Sequence, residues 1–315
     1  MNPKQTPCGA MQDPEDFPRL IRILSACRPY GSEAEQRLVT DILAPYAPAL
    51  LGPMENACIQ VGEGSRTLFS CHTDTVHRSP GAQRVAFDRV AGLLFTPKGD
   101  CLGADDGAGM WLMLSMIDAG IPGTYLFHRG EERGCIGAQW MAAHKAELLS
   151  RFDRAVAFDR HGTTSVITHQ LGSRCCSDYF AQALADALRM GHTGDSTGIY
   201  TDTAQYMNLI PEVTNVSCGY EGEHTGTETL DVRYLVQLRE ALKKVDWEAL
   251  PVVRQPGASA EVLDDLAGMD WDTLYGLVEG EPETITDLIF DHLERQKLAL
   301  AGFDAEDFQN AQIYS

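Results

Sequence analysis

Two histidines, two aspartates and two glutamates stand where a chain can present ligands. His72 ends the apolar run Thr67–Cys71, Glu131-Glu132 follow Thr124–Phe127, and Asp159 follows Ala155–Phe158. His224 comes shortly after the run Val213–Cys218. Asp105 lies in Leu102-Gly103-Ala104-Asp105-Asp106-Gly107-Ala108-Gly109, between the polar turn Pro97–Asp100 and the apolar stretch Met110–Ile117. Adjacent carboxylates among small residues present hard oxygen ligands from a tight backbone, although acidic residues also cap helix starts. Imidazole with carboxylate and no thiolate suits a catalytic zinc, or cobalt or manganese, better than a structural zinc. A bridging carboxylate with two further ligands per ion leaves each metal open, and such paired sites activate water and polarise a carbonyl. A free glutamate beside a ligand glutamate supplies the general base.

The elements that must position these residues alternate. Helical periodicity covers Phe17–Cys27 and Glu33–Tyr46, and Ser32 with Glu35 forms a capping box at the second. Ala57–Val61 reads as a strand, Gly62–Ser65 as a hairpin turn, and Thr67–Cys71 as the next strand. Further strands at Thr124–Phe127, Ala155–Phe158 and Val213–Cys218 are separated by helical patterns at Gly107–Ala119, Ile136–Leu149 and Cys175–Met190. This alternation predicts an α/β fold, a doubly wound, mostly parallel sheet with helices on both faces. Ligands of such sheets bind outside the carboxyl ends of the strands, and those ends carry His72, Glu131, Glu132, Asp159 and His224.

Five segments in this order resemble the zinc exopeptidase group of co-catalytic metallopeptidases, with its aminopeptidase Y-like and glutamate carboxypeptidase-like families. They are Ser70–Val76, Gly103–Asp106, Gly130–Gly134, Phe158-Asp159 and Glu223–Thr225. The resemblance runs from about Phe17 to Asp246 and implies a zinc-exopeptidase-like fold holding two divalent ions. It implies that Asp105 bridges the ions, that His72 and Asp159 complete one shell, and that Glu132 and His224 complete the other. Glu131 is then the general base, and Asp74 orients the His72 imidazole. A cis peptide after the bridging aspartate is implied at Asp105-Asp106. The segment Thr201-Asp202-Thr203 with Tyr206 resembles one near the substrate, which makes Asp202 and Tyr206 candidate substrate contacts. Carboxypeptidase-like members carry a lid and dimerisation domain between the last aspartate and histidine ligands. Asp159 to His224 is too short for it, so the single-domain aminopeptidases match better. The implied activity is removal of residues from peptide N-termini. Deacylation of N-acyl amino acids or similar amides, carboxypeptidase activity, and a non-catalytic binding protein retaining the fold are the alternatives.

Composition agrees with a globular chain. Of 315 residues 44% are hydrophobic and 22% charged, so a sizeable core can form. A net charge of −20 excludes nucleic acid and anionic membrane as expected partners and favours a cationic or N-terminal-amine substrate. No signal pattern, no membrane-spanning run and nine cysteines without a CxxC pair predict a cytoplasmic protein with reduced thiols. Residues 1–14 read as a loose segment, 15–250 as the catalytic domain and 251–315 as an acidic helical accessory region. That last stretch has fourteen acidic residues against three basic ones and an apolar stripe at Leu288, Ile289 and Leu293.

Overall fold

The computed structural model describes residues 11–256 except 99 and 171. The stripe at Leu288, Ile289 and Leu293, and with it most of the expected accessory region, lies outside the described residues. The helices are α1 (Phe17–Leu24), α2 (Glu33–Leu43), α3 (Ala104–Asp118), α4 (Ile136–His144), α5 (Ala146–Leu149), α6 (Asp178–Leu188) and α7 (Val232–Leu242). The strands begin with β1 (Ala26–Cys27), β2 (Ala49–Leu51), β3 (Asn56–Val61), β4 (Thr67–His72), β5 (Gly81–Ala82), β6 (Ala86–Asp88), β7 (Leu93–Phe95) and β8 (Gly123–His128). They continue with β9 (Arg154–Arg160), β10 (Ser165–Ile167), β11 (His169–Gln170), β12 (Ser173–Arg174), β13 (Thr193–Asp195), β14 (Glu212–Ser217), β15 (Tyr220–Glu221) and β16 (Thr229–Asp231).

Eight strands form one mixed sheet in the order β13-β10-β14-β9-β4-β8-β3-β2. Its centre, β14-β9-β4-β8, is wholly parallel, so the carboxyl ends of these four strands share one edge. Side chains of a strand alternate between the two faces of its sheet. In β8, Tyr125 and Phe127 join the core under α1, α3 and α7, while Leu126 joins the one under α4. Phe69 and Leu68 of β4 divide in the same way. Burial on both faces is why these strands read as continuous apolar runs. Helix α3 is apolar on every side from Ala108 to Leu114, and all of these residues are buried.

Local departures from the sequence reading have physical causes. Helix α2 stops at Leu43, ahead of Pro45, and a single 3₁₀ turn carries the chain to Tyr46. The helical stretch read across Ile136–Leu149 breaks at Lys145. Ser32 caps α2 by accepting from the Glu35 N–H, yet Glu35 turns elsewhere. Its buried carboxylate accepts from the Gly31 N–H, the Thr73 hydroxyl and the Arg129 guanidinium. Gly62–Ser65 does not close a hairpin. Strand β8 inserts between β3 and β4, antiparallel to the first and parallel to the second. The last described segment is tied to the body: Glu212 Oε1 accepts from the N–H groups of Val253 (2.7 Å) and Arg254 (3.0 Å). Arg254 Nε donates to the Pro211 carbonyl at 2.6 Å. Ending the chain after Pro251 is therefore expected to lower unfolding stability by about 2–4 kcal/mol, whereas ending it after Pro256 keeps these bonds. Urea unfolding of the two truncations decides it; equal stabilities would show that the anchor contributes nothing.

Candidate metal centre

Three neighbouring strands deliver the first candidate ligands to one edge. His72 is the last residue of β4 and registers against His128 of β8, so the loop after β8 begins beside it. Asp159 lies near the end of β9. Asp105 arrives from a different direction, at the mouth of α3, where the backbone leaves helical geometry at Asp105 and Asp106 and the peptide between them is cis, as implied by the motif. Gly109 permits the tight approach, because a Cβ there would collide with the Asp106 carboxylate and the Phe158 carbonyl.

The side chains converge. His72 Nε2 is 2.9 Å from Asp105 Oδ1 and 3.5 Å from Asp159 Oδ1. His224 Nε2 is 3.0 Å from Asp105 Oδ2 and 3.2 Å from Glu132 Oε1. Asp105 thus offers one oxygen to each histidine. The ligand atoms of His72, Asp105 and Asp159 lie within 4.8 Å of one another, and so do those of Asp105, Glu132 and His224. His72, Glu131 and Glu132 form a third such set. Atoms bound tetrahedrally to one small cation at ~2.1 Å stand ~3.4 Å apart, and the pairs named here lie at 2.9–3.5 Å.

The electrostatics of the cluster ask for added positive charge. Burial pushes Glu131 well above the carboxylate range, with Asp159, Asp202 and Glu132 adding to it against the opposing pull of His72. Burial and Asp105 likewise raise Asp159. Burial opposes ionisation of Asp105, but hydrogen bonds from His224 and His72 outweigh it and hold the carboxyl below its usual range. The bonds to Asp105 and Glu132 raise His224 to about 11. Glu132 Oε1 is buried, and the His224 imidazole 3.2 Å away is its ion-pair neighbour without well-aligned hydrogen-bond geometry. Carboxylates outnumber imidazoles in the cluster. The donor set fits hard or borderline divalent cations.

A supporting shell fixes the geometry. Asp74, fully buried, accepts with Oδ1 from the N–H groups of Gly130 (3.0 Å) and Glu131 (3.2 Å) and with Oδ2 from Glu132 (3.3 Å). Its own carbonyl lies 3.2 Å from His72 Nδ1. Asp74 therefore joins His72 to the Glu131-Glu132 turn. Asp106 accepts from the His72 and Gly109 N–H groups. Asp159 accepts from the Thr201 hydroxyl at 2.8 Å.

Two supports escape sequence reasoning. The Glu228 carboxylate accepts from four consecutive backbone N–H groups, Leu102 and Gly103 on Oε2, Ala104 and Asp105 on Oε1, at 2.6–3.1 Å. Arg28, wholly buried, donates to the carbonyls of Ile23, Thr73 and Gly103 and so ties the two ligand-bearing loops together. Both act on main-chain atoms, whose identity no side chain advertises. The nearest sequence signal for Glu228 is its place four residues after His224.

Asp202 and Tyr206 are both buried. The Tyr206 hydroxyl lies 2.6 Å from His128 Nε2, and Asp202 Oδ2 is 3.6 Å from His128 Nδ1. The cavity of about 270 Å³ over the cluster is walled instead by Arg160, His161, Gln170, Ile199, Tyr200 and Glu223, together with Asp105, Glu131, Asp159 and His224. Between Asp159 and His224 the chain adds β10, β13 and β14 to the main sheet. No helix among the described residues is long and apolar enough to cross a membrane.

No protein-family model matches the chain, and no curated protein sequence matches it. Solved structures do. A tripeptidase from Staphylococcus aureus superposes with a TM-score of 0.61 at 14% identity, covering 75% of this chain and 98% of that one. Aminopeptidase PepT from Bacillus cereus gives 0.60 at 14%, covering 73% and 97%. The TET1 peptidase of Pyrococcus horikoshii gives 0.54 at 15%, covering 73% and 98%. The chain has the zinc-exopeptidase-like α/β fold that it shares with these peptidases.

Proposed function

We propose that this chain is a di-metal hydrolase of peptide or amide bonds and, more closely, an aminopeptidase. The observation that carries the reading is the pair of ligand sets sharing Asp105, with Glu131 beside them in the cavity wall. In this reading His72 and Asp159 hold one ion, Glu132 and His224 hold the other, and Asp105 serves both. Two divalent ions there, zinc or else cobalt or manganese, would polarise the scissile carbonyl and make a cavity water acidic. Glu131 takes the proton from that water as its oxygen bonds the carbonyl carbon. The Glu131 carboxyl then returns the proton to the nitrogen as the C–N bond breaks. Asp74, through the Gly130–Glu132 amides, keeps the base and the ligand glutamate in register with His72.

Metal analysis of the purified protein, with a panel of aminoacyl-arylamides and N-acyl amino acids assayed with and without chelator, tests this. The expected result is two divalent ions per chain and chelator-sensitive release of arylamine. Cleavage confined to N-acyl amino acids would make it a deacylase. A metal-free protein inert on both panels would leave a binding protein.

A further inference from the structure

We infer that Arg160 makes this cavity a receptor for a substrate carboxylate lying close to the scissile bond. The inference rests on the hydrolase reading and narrows its substrates to those with a carboxylate close to the scissile bond.

Asp159 and Arg160 are adjacent in β9, and in a regular strand their side chains would leave opposite faces. Both nevertheless line the cavity. The ladder between β9 and β14 explains it: Ala157 pairs with Asn215 and Arg160 with Ser217, so β9 spends one residue more than its partner. An extra residue of this kind bends a strand and re-aims a side chain, and here it does so at the rim of the site.

The guanidinium so delivered is under-used. An arginine has five N–H donors. Arg160 Nη2 donates to the Thr197 hydroxyl at 2.9 Å and passes 3.7 Å from Asp195 Oδ2. Its Nε is buried without a hydrogen-bond partner. Asp195 is engaged otherwise, accepting from the Ser165 hydroxyl at 2.6 Å and from the N–H and hydroxyl of Thr197. The neighbouring His161 is committed to Glu223, 2.8 Å from Nδ1 to Oε1. Among the described residues lining the cavity, Arg160 is the only lysine or arginine.

A planar guanidinium in a small, partly enclosed wall, giving one hydrogen bond to Thr197 and standing only at ion-pair distance from Asp195, is matched by a carboxylate, which accepts in its plane. Two sources reach it: the α-carboxylate of a dipeptide and the side chain of an N-terminal glutamate or aspartate. The whole-chain charge argues for cationic substrates, but Arg160 is far nearer to a bound substrate than the surface average, and screening favours the near charge.

The test uses the full-length, metal-loaded protein and two matched substrate pairs. Alanyl-alanine against alanyl-alaninamide reads the α-carboxylate; glutamyl-arylamide against glutaminyl-arylamide reads the acidic side chain. Wild type should prefer the charged member of one pair. In Arg160→Gln that preference ratio in kcat/KM should fall by roughly ten- to a hundred-fold, the loss expected of a charge-assisted hydrogen bond, and KM should carry most of it. Arg160→Lys should retain part of the ratio and serves should the glutamine variant fail to fold. Wild type indifferent to charge in both pairs overturns the inference while leaving the hydrolase reading intact. A preference that survives both substitutions overturns it too. A wild type that cleaves none of the four substrates overturns the hydrolase reading first, and this inference with it.

Discussion

Glu131→Gln is expected to lower kcat by roughly 10²–10⁴-fold, the range for loss of a positioned general base, while the divalent-metal content stays at the wild-type level. Glutamine matches the side chain in size and can still accept from the Cys135 thiol, which reaches Glu131 Oε1 at 3.6 Å. It cannot take a proton from water. Both ligand sets sharing Asp105 omit Glu131, so they remain complete. Parallel kinetics and metal analysis read the two halves of this expectation separately. Near-normal turnover would move the base elsewhere; loss of metal would make Glu131 a ligand, as its membership of the His72–Glu131–Glu132 set allows.

The second large effect is expected at Glu228, four residues beyond His224. Glu228→Ala should lower unfolding stability by about 3–5 kcal/mol, because four buried N–H groups lose a charged acceptor at once. Those four groups hold the loop that presents Asp105, so metal affinity should also fall, by roughly 10–100-fold as for other supports of ligand residues. Glu228→Gln should lie between, since its amide nitrogen would face two N–H donors. Thermal unfolding and metal titration check it. An alanine variant that melts with wild type and binds metal equally would reduce Glu228 to a spectator.

How much could be read in advance follows from where the information sits. His72, Asp159 and the Glu131-Glu132 pair each follow an apolar run that became a parallel strand, so residue type and place spoke together. Asp105 was legible from its small neighbours, and Gly109 shows why they are small. Strands of two or three residues such as β6, β7, β15 and β16 carry no period, and the four-stranded sheet they build was invisible. Glu228 and Arg28 work on main-chain groups that any residue type supplies. Asp202 and Tyr206 were linked to substrate by motif alone, and their burial follows from packing against His128. Arg160 lies beyond the strand read at Ala155–Phe158, and only the extra residue in β9 brings it to the cavity beside Asp159.

The insertion of β8 between β3 and β4 sets a problem of timing. In the finished sheet the two strands run antiparallel and stand about 10 Å apart, two strand spacings, joined by the short link at 62–66. A chain emerging from the ribosome holds both of them long before residues 123–128 exist. Their facing edges then lack partners, and the shortest loop available would let them pair with each other directly. Local contacts of that kind form faster than distant ones. A hairpin of β3 with β4 would have to be undone before β8 could take its place between them. A fragment ending before Gly123 would be the place to look for the wrong pairing, held long enough to be seen.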